Sequence, residues 1–270
     1  MNNTIDWRWI PRGILLGLLA FAIFGPLANL FLWAVAERWY FPHTLPLQYG
    51  FSFWANVFSP RGNALSSLGT SVLIAGLTVT ASLGLAIPAG YALARLKLPF
   101  RGFILLTLLI PQAFPNLPIY VNIAQMFYSF GLNGTITGVV LVHVTHGLVY
   151  AVWIATAAFS AIDRELEEAA RSMGASALKT FFDITLPIAA PGLLASAIFV
   201  FLESLDEFTG TYFVGAPDIS TLPLLLYTAS SGGNYQIASI SALILLVPSI
   251  AFMFVVERFL RADVLSKVGR

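Results

Sequence analysis

The chain has 270 residues, of which 58% are hydrophobic and only 10% charged. Soluble globular domains carry about a quarter charged residues, so one water-soluble core of this size is excluded. A mean hydropathy of +0.82 over the whole length spreads the apolar excess along the chain, which reads as an integral membrane protein.

Charge-free runs mark the spans in order. Gly13 to Ala36 runs 24 residues without Asp, Glu, Lys or Arg, and Gly62 to Ala94 runs 33. A helix crosses the hydrocarbon in about 20 residues, so each holds one span. The first also follows Arg8 and Arg12 and ends in Ala34-Val35-Ala36, which resembles a signal-peptide cleavage site. Its apolar run is longer than such a region needs, so an uncleaved anchor is the better reading. Gly102 to Ile162 is uncharged for 61 residues, and Gly131-Leu132-Asn133-Gly134 splits it into two helices joined by a tight outer turn. Ile184 to Leu202 holds a fifth span, continuing past the acids that follow. Ile219 to Val256 holds a sixth, from about Gln236. The runs are continuous rather than alternating, which indicates helices and not barrel strands. The fold class is all-α, a six-span polytopic membrane protein, with residues 1–270 as one domain.

Six spans put both termini on one side. That side carries 12 of the 14 basic residues, leaving only Arg38 and Arg61 opposite. The positive-inside bias therefore makes the termini and the 95–101 and 163–183 loops cytoplasmic, as expected of a bacterial inner-membrane protein. The largest outer segment, Glu37 to Arg61, is rich in aromatics (Trp39, Tyr40, Phe41, Trp54) and reads as an interfacial belt. A net charge of +1 with no basic patch excludes nucleic acid as a partner. The absence of cysteine excludes disulfides and thiolate metal sites.

Within the membrane, Pro111, Pro115 and Pro118 crowd the third span, which should be kinked or broken there. Gly76, Gly84, Pro88 and Gly90 point to close packing or a kink in the second. His143 and His146 lie three apart in the fourth span without a carboxylate at metal spacing, so a polar helix contact fits better than a metal site. Glu203, Asp206 and Glu207 fall at i, i+3 and i+4, on one face of the fifth helix in its outer half. Charges facing lipid are costly, so these acids face a cavity, a polar neighbour or the outer water. They form either a cation-attracting outer gate or a solvated helix end with internal hydrogen bonds, and with His143 they are the candidate solute pathway.

The cytoplasmic segment 163–187 differs from its surroundings. Asp163 suits a helix N-cap, Gly174 the left-handed position after that helix, and Ser176 the cap of a second helix. Leu178, Phe181 and Phe182 give the second helix an apolar side, and Pro187 stands at the entry to the next span. Such a bracket suits docking into a partner's groove. Glu168-Ala169-Ala170, then Gly174, Ile184 and Leu186-Pro187, occur at the spacing of the EAA signature, and the chain resembles the binding-protein-dependent ABC importer permeases over essentially its whole length. Sugar permeases of that superfamily commonly place Asp before the glycine, where this chain has Met173. The Ser172-to-Ser176 run, His143, the 204–208 Ser-Leu-Asp-Glu-Phe and Thr221-Leu222-Pro223 look more like the spermidine/putrescine-type permeases, a group that also includes transporters for iron, opines and phosphonates.

The resemblance implies that Glu168, Ala169, Ala170, Gly174, Ile184, Leu186 and Pro187 couple the chain to a cytoplasmic ATPase. It implies two ATPase subunits carrying the ATP and Mg, a second permease subunit, identical or homologous, and an extracytoplasmic binding protein. It also implies no enzyme activity or cofactor in this chain. No G-x-x-x-x-G-K-[ST] occurs, in agreement. The acids add a small cationic solute to that expectation, with a sugar, opine, phosphonate or iron as alternatives. A secondary carrier would show paired repeats with broken helices, and a membrane enzyme a clustered catalytic set; neither pattern is present.

Overall fold

The computed structural model describes residues 9–268, so Arg8 and Arg270, counted in the orientation above, lie outside the described residues. Five helical segments are long and apolar enough to cross a membrane: Gly13–Ala34, Ala64–Arg95, Ile136–Ser160, Ala177–Asp206 and Tyr235–Phe254. Among the described residues, two helices in succession, Arg101–Ala113 and Asn116–Ser129, make a sixth candidate span when counted as one. The chain resolves into two compact units, one reaching to Ala64 and including Leu226–Ile244, the other Leu65–Leu225 with the residues from Leu245 onward.

In the first unit, α1 (Trp9–Ala34) leads into a short antiparallel pair, β1 (Ala36–Arg38) and β2 (Gln48–Tyr49), then α2 (Ser52–Phe58). Glu37 ties this segment together, accepting from the Gln48 amide at 3.1 Å and the Ser52 N–H at 3.2 Å. Trp33 stacks on Trp39 with centroids 4.2 Å apart, and the Trp54 indole donates to the Ala34 carbonyl at 2.7 Å. Indole rings with one hydrogen-bonded edge suit the membrane–water boundary.

The second unit is built on α3 (Ala64–Arg95), α4 (Arg101–Ala113), α5 (Asn116–Ser129), α6 (Ile136–Ser160) and α9 (Leu186–Asp206). The proline-rich third span is broken outright: α4 and α5 meet at 94° across Phe114–Pro115. Pro115 has no N–H to continue a ladder and keeps Phe114 extended, at ψ 147°. The outer turn falls as the sequence indicates, with Gly131 and Gly134 both at positive φ. Helix α6 is the centre of this unit, with 61% of its apolar window buried. Gly90 lets α3 approach it closely, since a Cβ there would lie 2.8 Å from the Ala155 Cβ, whereas Gly76 and Gly84 meet nothing within 4 Å. Close approach therefore belongs to Gly90 alone of these three.

Two short helices, α10 (Thr209–Val214) and α11 (Leu222–Ser231), precede α12 (Tyr235–Val268). The last helix begins one residue from where the hydropathy places it. The segment between α6 and α9 holds α7 (Arg164–Ser172) and α8 (Ala177–Thr180), followed by a π-helical turn at Phe181–Thr185 that runs without a break into α9. Pro187 stands in the first turn of α9, at the entry to that span. The helix is continuous from Ala177, and the π turn lets the Leu186 N–H reach the Phe181 carbonyl, accommodating the donor that Pro187 lacks.

Candidate functional site

The bracket follows from local chemistry. Helix α7 ends in a Schellman motif, in which Gly174 N–H donates to Arg171 O at 2.9 Å and Ala175 N–H to Ala170 O at 3.1 Å. That geometry needs a left-handed residue, and Gly174 sits at φ 88°. Ser176 caps the next helix, its hydroxyl accepting from the Lys179 N–H at 3.3 Å. Asp163 occupies the N-cap of α7, but its side chain makes no capping hydrogen bond.

The EAA residues divide by exposure. Glu168 and Ala169 face outward with Leu166 and Met173, the last 83% exposed, while Ala170 is buried. Ile184 and Leu186 are half-buried, and Pro187 is exposed. The expected apolar side of the second helix also divides. Phe181 turns inward against Tyr91, centroids 5.0 Å apart, whereas Leu178 and Phe182 stay exposed.

Spacing did not single out the residue that holds the bracket to the membrane helices. Glu167 is buried and accepts from Arg95 Nε at 3.0 Å and from the Thr185 hydroxyl at 2.9 Å. The Arg95 guanidinium also donates to the Ile162 carbonyl, and Arg164 donates to the Ala94 carbonyl. Arg95 and Glu167 stand 72 positions apart, so no helical pattern links them. The available signal was two adjacent acids on a short helix, which cannot both face the same way. A cleft of about 510 Å³ lies beside this knot, bordered by Tyr91, Arg95, Glu168, Arg171 and Phe181.

At the other end of α9 the acids part company. The expectation that Glu203, Asp206 and Glu207 share one helical face is corrected at Glu207. Helix α9 stops at Asp206, and Glu207 is extended at φ −75°, ψ 113°. Its carboxylate accepts from the Gly210 N–H at 2.6 Å and from the Tyr120 hydroxyl at 2.9 Å. The donors at the start of α10 draw the carboxylate off the α9 face. Tyr120 also meets His146 Nδ1 at 2.9 Å, and His146 Nε2 lies 3.1 Å from the Asn116 side-chain oxygen. His143 is 3% exposed and bonded through both ring nitrogens, to Ser204 at 2.7 Å and Thr211 at 2.9 Å. It is a polar contact joining α6, α9 and α10. Glu203 is half-buried and Asp206 exposed, so these two keep the shared face. Near them are Tyr150, packed on Phe199 with centroids 5.3 Å apart, and Gln112, 3.5 Å from the Tyr150 hydroxyl.

The chain is a multi-span helical protein with a capped helical bracket ahead of the long helix that ends at Asp206. Residues 86–263 match the family described as binding-protein-dependent transport system inner membrane component, and the chain belongs to that family. It is the non-catalytic permease subunit of an ABC importer. Similar curated proteins include the putrescine transport system permease protein PotI of Escherichia coli K12, 31% identical over 191 residues that span 67% of each chain. The trehalose transport system permease protein SugB of Mycobacterium tuberculosis is 28% identical, with 82% of each chain covered. Among solved structures, a bacterial alginate ABC transporter in complex with alginate pentasaccharide-bound periplasmic protein superposes with a TM-score of 0.71 at 15% identity, covering 96% of each chain. That last likeness shows the fold.

Proposed function

We propose that α7 seats in a cleft of a cytoplasmic ATPase and that two such ATPases, closing on ATP, swing this chain and a second permease subunit between outward and inward access. An extracytoplasmic binding protein delivers the solute, and both termini face the cytoplasm. The observation that carries this reading is the exposed face of the bracket. Leu166, Glu168, Ala169 and Met173 project from a helix end held rigid by its Schellman turn and capping serine. Glu168 meets a basic group of the ATPase, and Leu166 and Met173 supply the apolar contact.

The solute in this reading is a small organic cation, entering past Glu203 and Asp206. A carboxylate in a low-dielectric vestibule attracts an ammonium more strongly than it does in water. The similarity to a putrescine permease agrees, although trehalose and alginate in the names of other similar proteins are neutral and acidic. Glu207 is not assigned to the pathway, because its carboxylate is occupied by Tyr120 and Gly210. His143 is assigned to packing for the same reason. The test is uptake of labelled putrescine and labelled trehalose by cells carrying Glu203→Gln, Asp206→Asn or both, with membrane insertion checked beside it. Loss of putrescine uptake in the double variant supports the reading. Trehalose uptake that the double variant leaves intact overturns the cationic solute while keeping the permease.

A further inference from the structure

The exposed half of the EAA bracket offers a surface, but a surface alone cannot move a membrane helix. Whatever force α7 receives must leave it through contacts on its buried side, which include the Arg164 bond to the Ala94 carbonyl of α3 and one buried carboxylate. Glu167 Oε1 accepts from Arg95, the last residue of α3, and from Thr185, the last residue of the π turn that opens into α9. Arg95 bonds in addition to the Ile162 carbonyl in the link between α6 and α7. Helices α3 and α9 and the link that follows α6 therefore meet α7 at one ion pair with side chains 8% and 9% exposed, beside the Arg164 bond that also joins α7 to α3.

We propose that Glu167 is the positioning residue that transmits displacement of α7 to α3 and α9, with Arg95 as its obligatory partner. The inference rests on the reading that α7 docks on an ATPase, and it adds the path by which that docking moves the spans. A buried ion pair makes a stiff link because separating it leaves two unpaired charges in a poorly solvated place, a far greater cost than bending an exposed side-chain contact. Helix α3 is long enough to serve. Its 32 residues extend about 48 Å, against about 30 Å of hydrocarbon, so Arg95 stands beyond the membrane where α7 lies. The two neighbouring acids take different parts, with Glu168 turned out toward the docking face and Glu167 turned in toward the spans.

The test uses the assembled importer, and the absence of cysteine from this chain makes a single reporter clean. A Leu65→Cys reporter at the outer start of α3, where Leu65 is 58% exposed, is modified with a thiol reagent, without nucleotide and after trapping with ATP and vanadate. Helix movement appears as a difference in modification rate between the two states. With Glu167→Ala or Arg95→Ala the ATPase still co-purifies, but the ratio of the two rates collapses to about 1, against a change of about fivefold or more expected of a coupled transition. The Arg95→Ala/Glu167→Ala pair loses no more than either alone, and Glu167→Gln, which retains an acceptor, recovers part of the response. A purely structural role would lower yield and ATPase binding together without this rescue. If the alanine variants do not assemble, Thr185→Val decides, because it keeps the ion pair and removes one link; a reduced response is expected. A wild-type response in any assembled Glu167→Ala, Arg95→Ala or Thr185→Val complex overturns the proposal. Failure of the unmodified chain to hold the ATPase would instead overturn the docking reading.

Discussion

Glu167 and Glu207 are carboxylates near opposite ends of the helix that runs from Ala177 to Asp206, and each ties together elements distant in sequence. Their partners differ in kind. Glu167 faces a guanidinium inside a nearly closed knot, while Glu207 is satisfied by a neutral phenol and a backbone N–H. The first arrangement resists the loss of either member, because the survivor keeps its charge where water is scarce. The second degrades gracefully, since each neutral donor contributes a separate bond. The Glu167 knot is therefore the stiffer tie, and the Glu207 network fixes where α5, α6 and α10 meet.

Removing one partner on each side sharpens the contrast. Arg95→Ala should cost about 3–5 kcal/mol by stranding Glu167, read as a large drop in the thermal unfolding midpoint in detergent and faster proteolysis of residues 163–183. Tyr120→Phe should cost about 1.5–3 kcal/mol, because it deletes the bonds to the Glu207 carboxylate and to His146 and leaves the Gly210 N–H in place. Equal losses in the two variants would break the distinction between a charged and a neutral tie.

Smaller effects separate the bracket's shape from its anchorage. Gly174→Val forces a β-branched residue to φ 88°, at a local cost of about 1–2 kcal/mol, although the space beside Gly174 is open. Insertion should be unaffected, while ATPase co-purification and uptake fall. Normal co-purification with normal uptake would count against α7 as the docking element. Ser176→Ala removes the cap to Lys179 at about 1 kcal/mol and should give a milder loss of ATPase binding in the same assay.

Much of the architecture was legible because burial in lipid is recorded residue by residue. Charge-free runs located the long spans, Gly131 and Gly134 marked the turn before α6, and the cluster Pro111, Pro115 and Pro118 marked the region where α4 and α5 part. Gly174 and Ser176 were equally readable, since a left-handed turn and a hydroxyl cap are properties of a few consecutive residues. The candidate site was legible where it is local and opaque where it is not. Helical periodicity put Glu207 with Glu203 and Asp206, but it holds only while the helix continues, and α9 stops one residue too soon.

The sequence by itself determined that this chain crosses the membrane repeatedly, which ends of its bracket helices are capped, and where along the chain the bracket lies. These follow from transfer free energies and backbone preferences that act over one residue or one turn. Only the tertiary structure decided which of two adjacent glutamates faces inward, that Arg95 is its partner, and that Glu207 leaves its helix for Tyr120 and Gly210. Those choices depend on which charges and donors packing brings within about 3 Å, a reach that sequence separation does not encode.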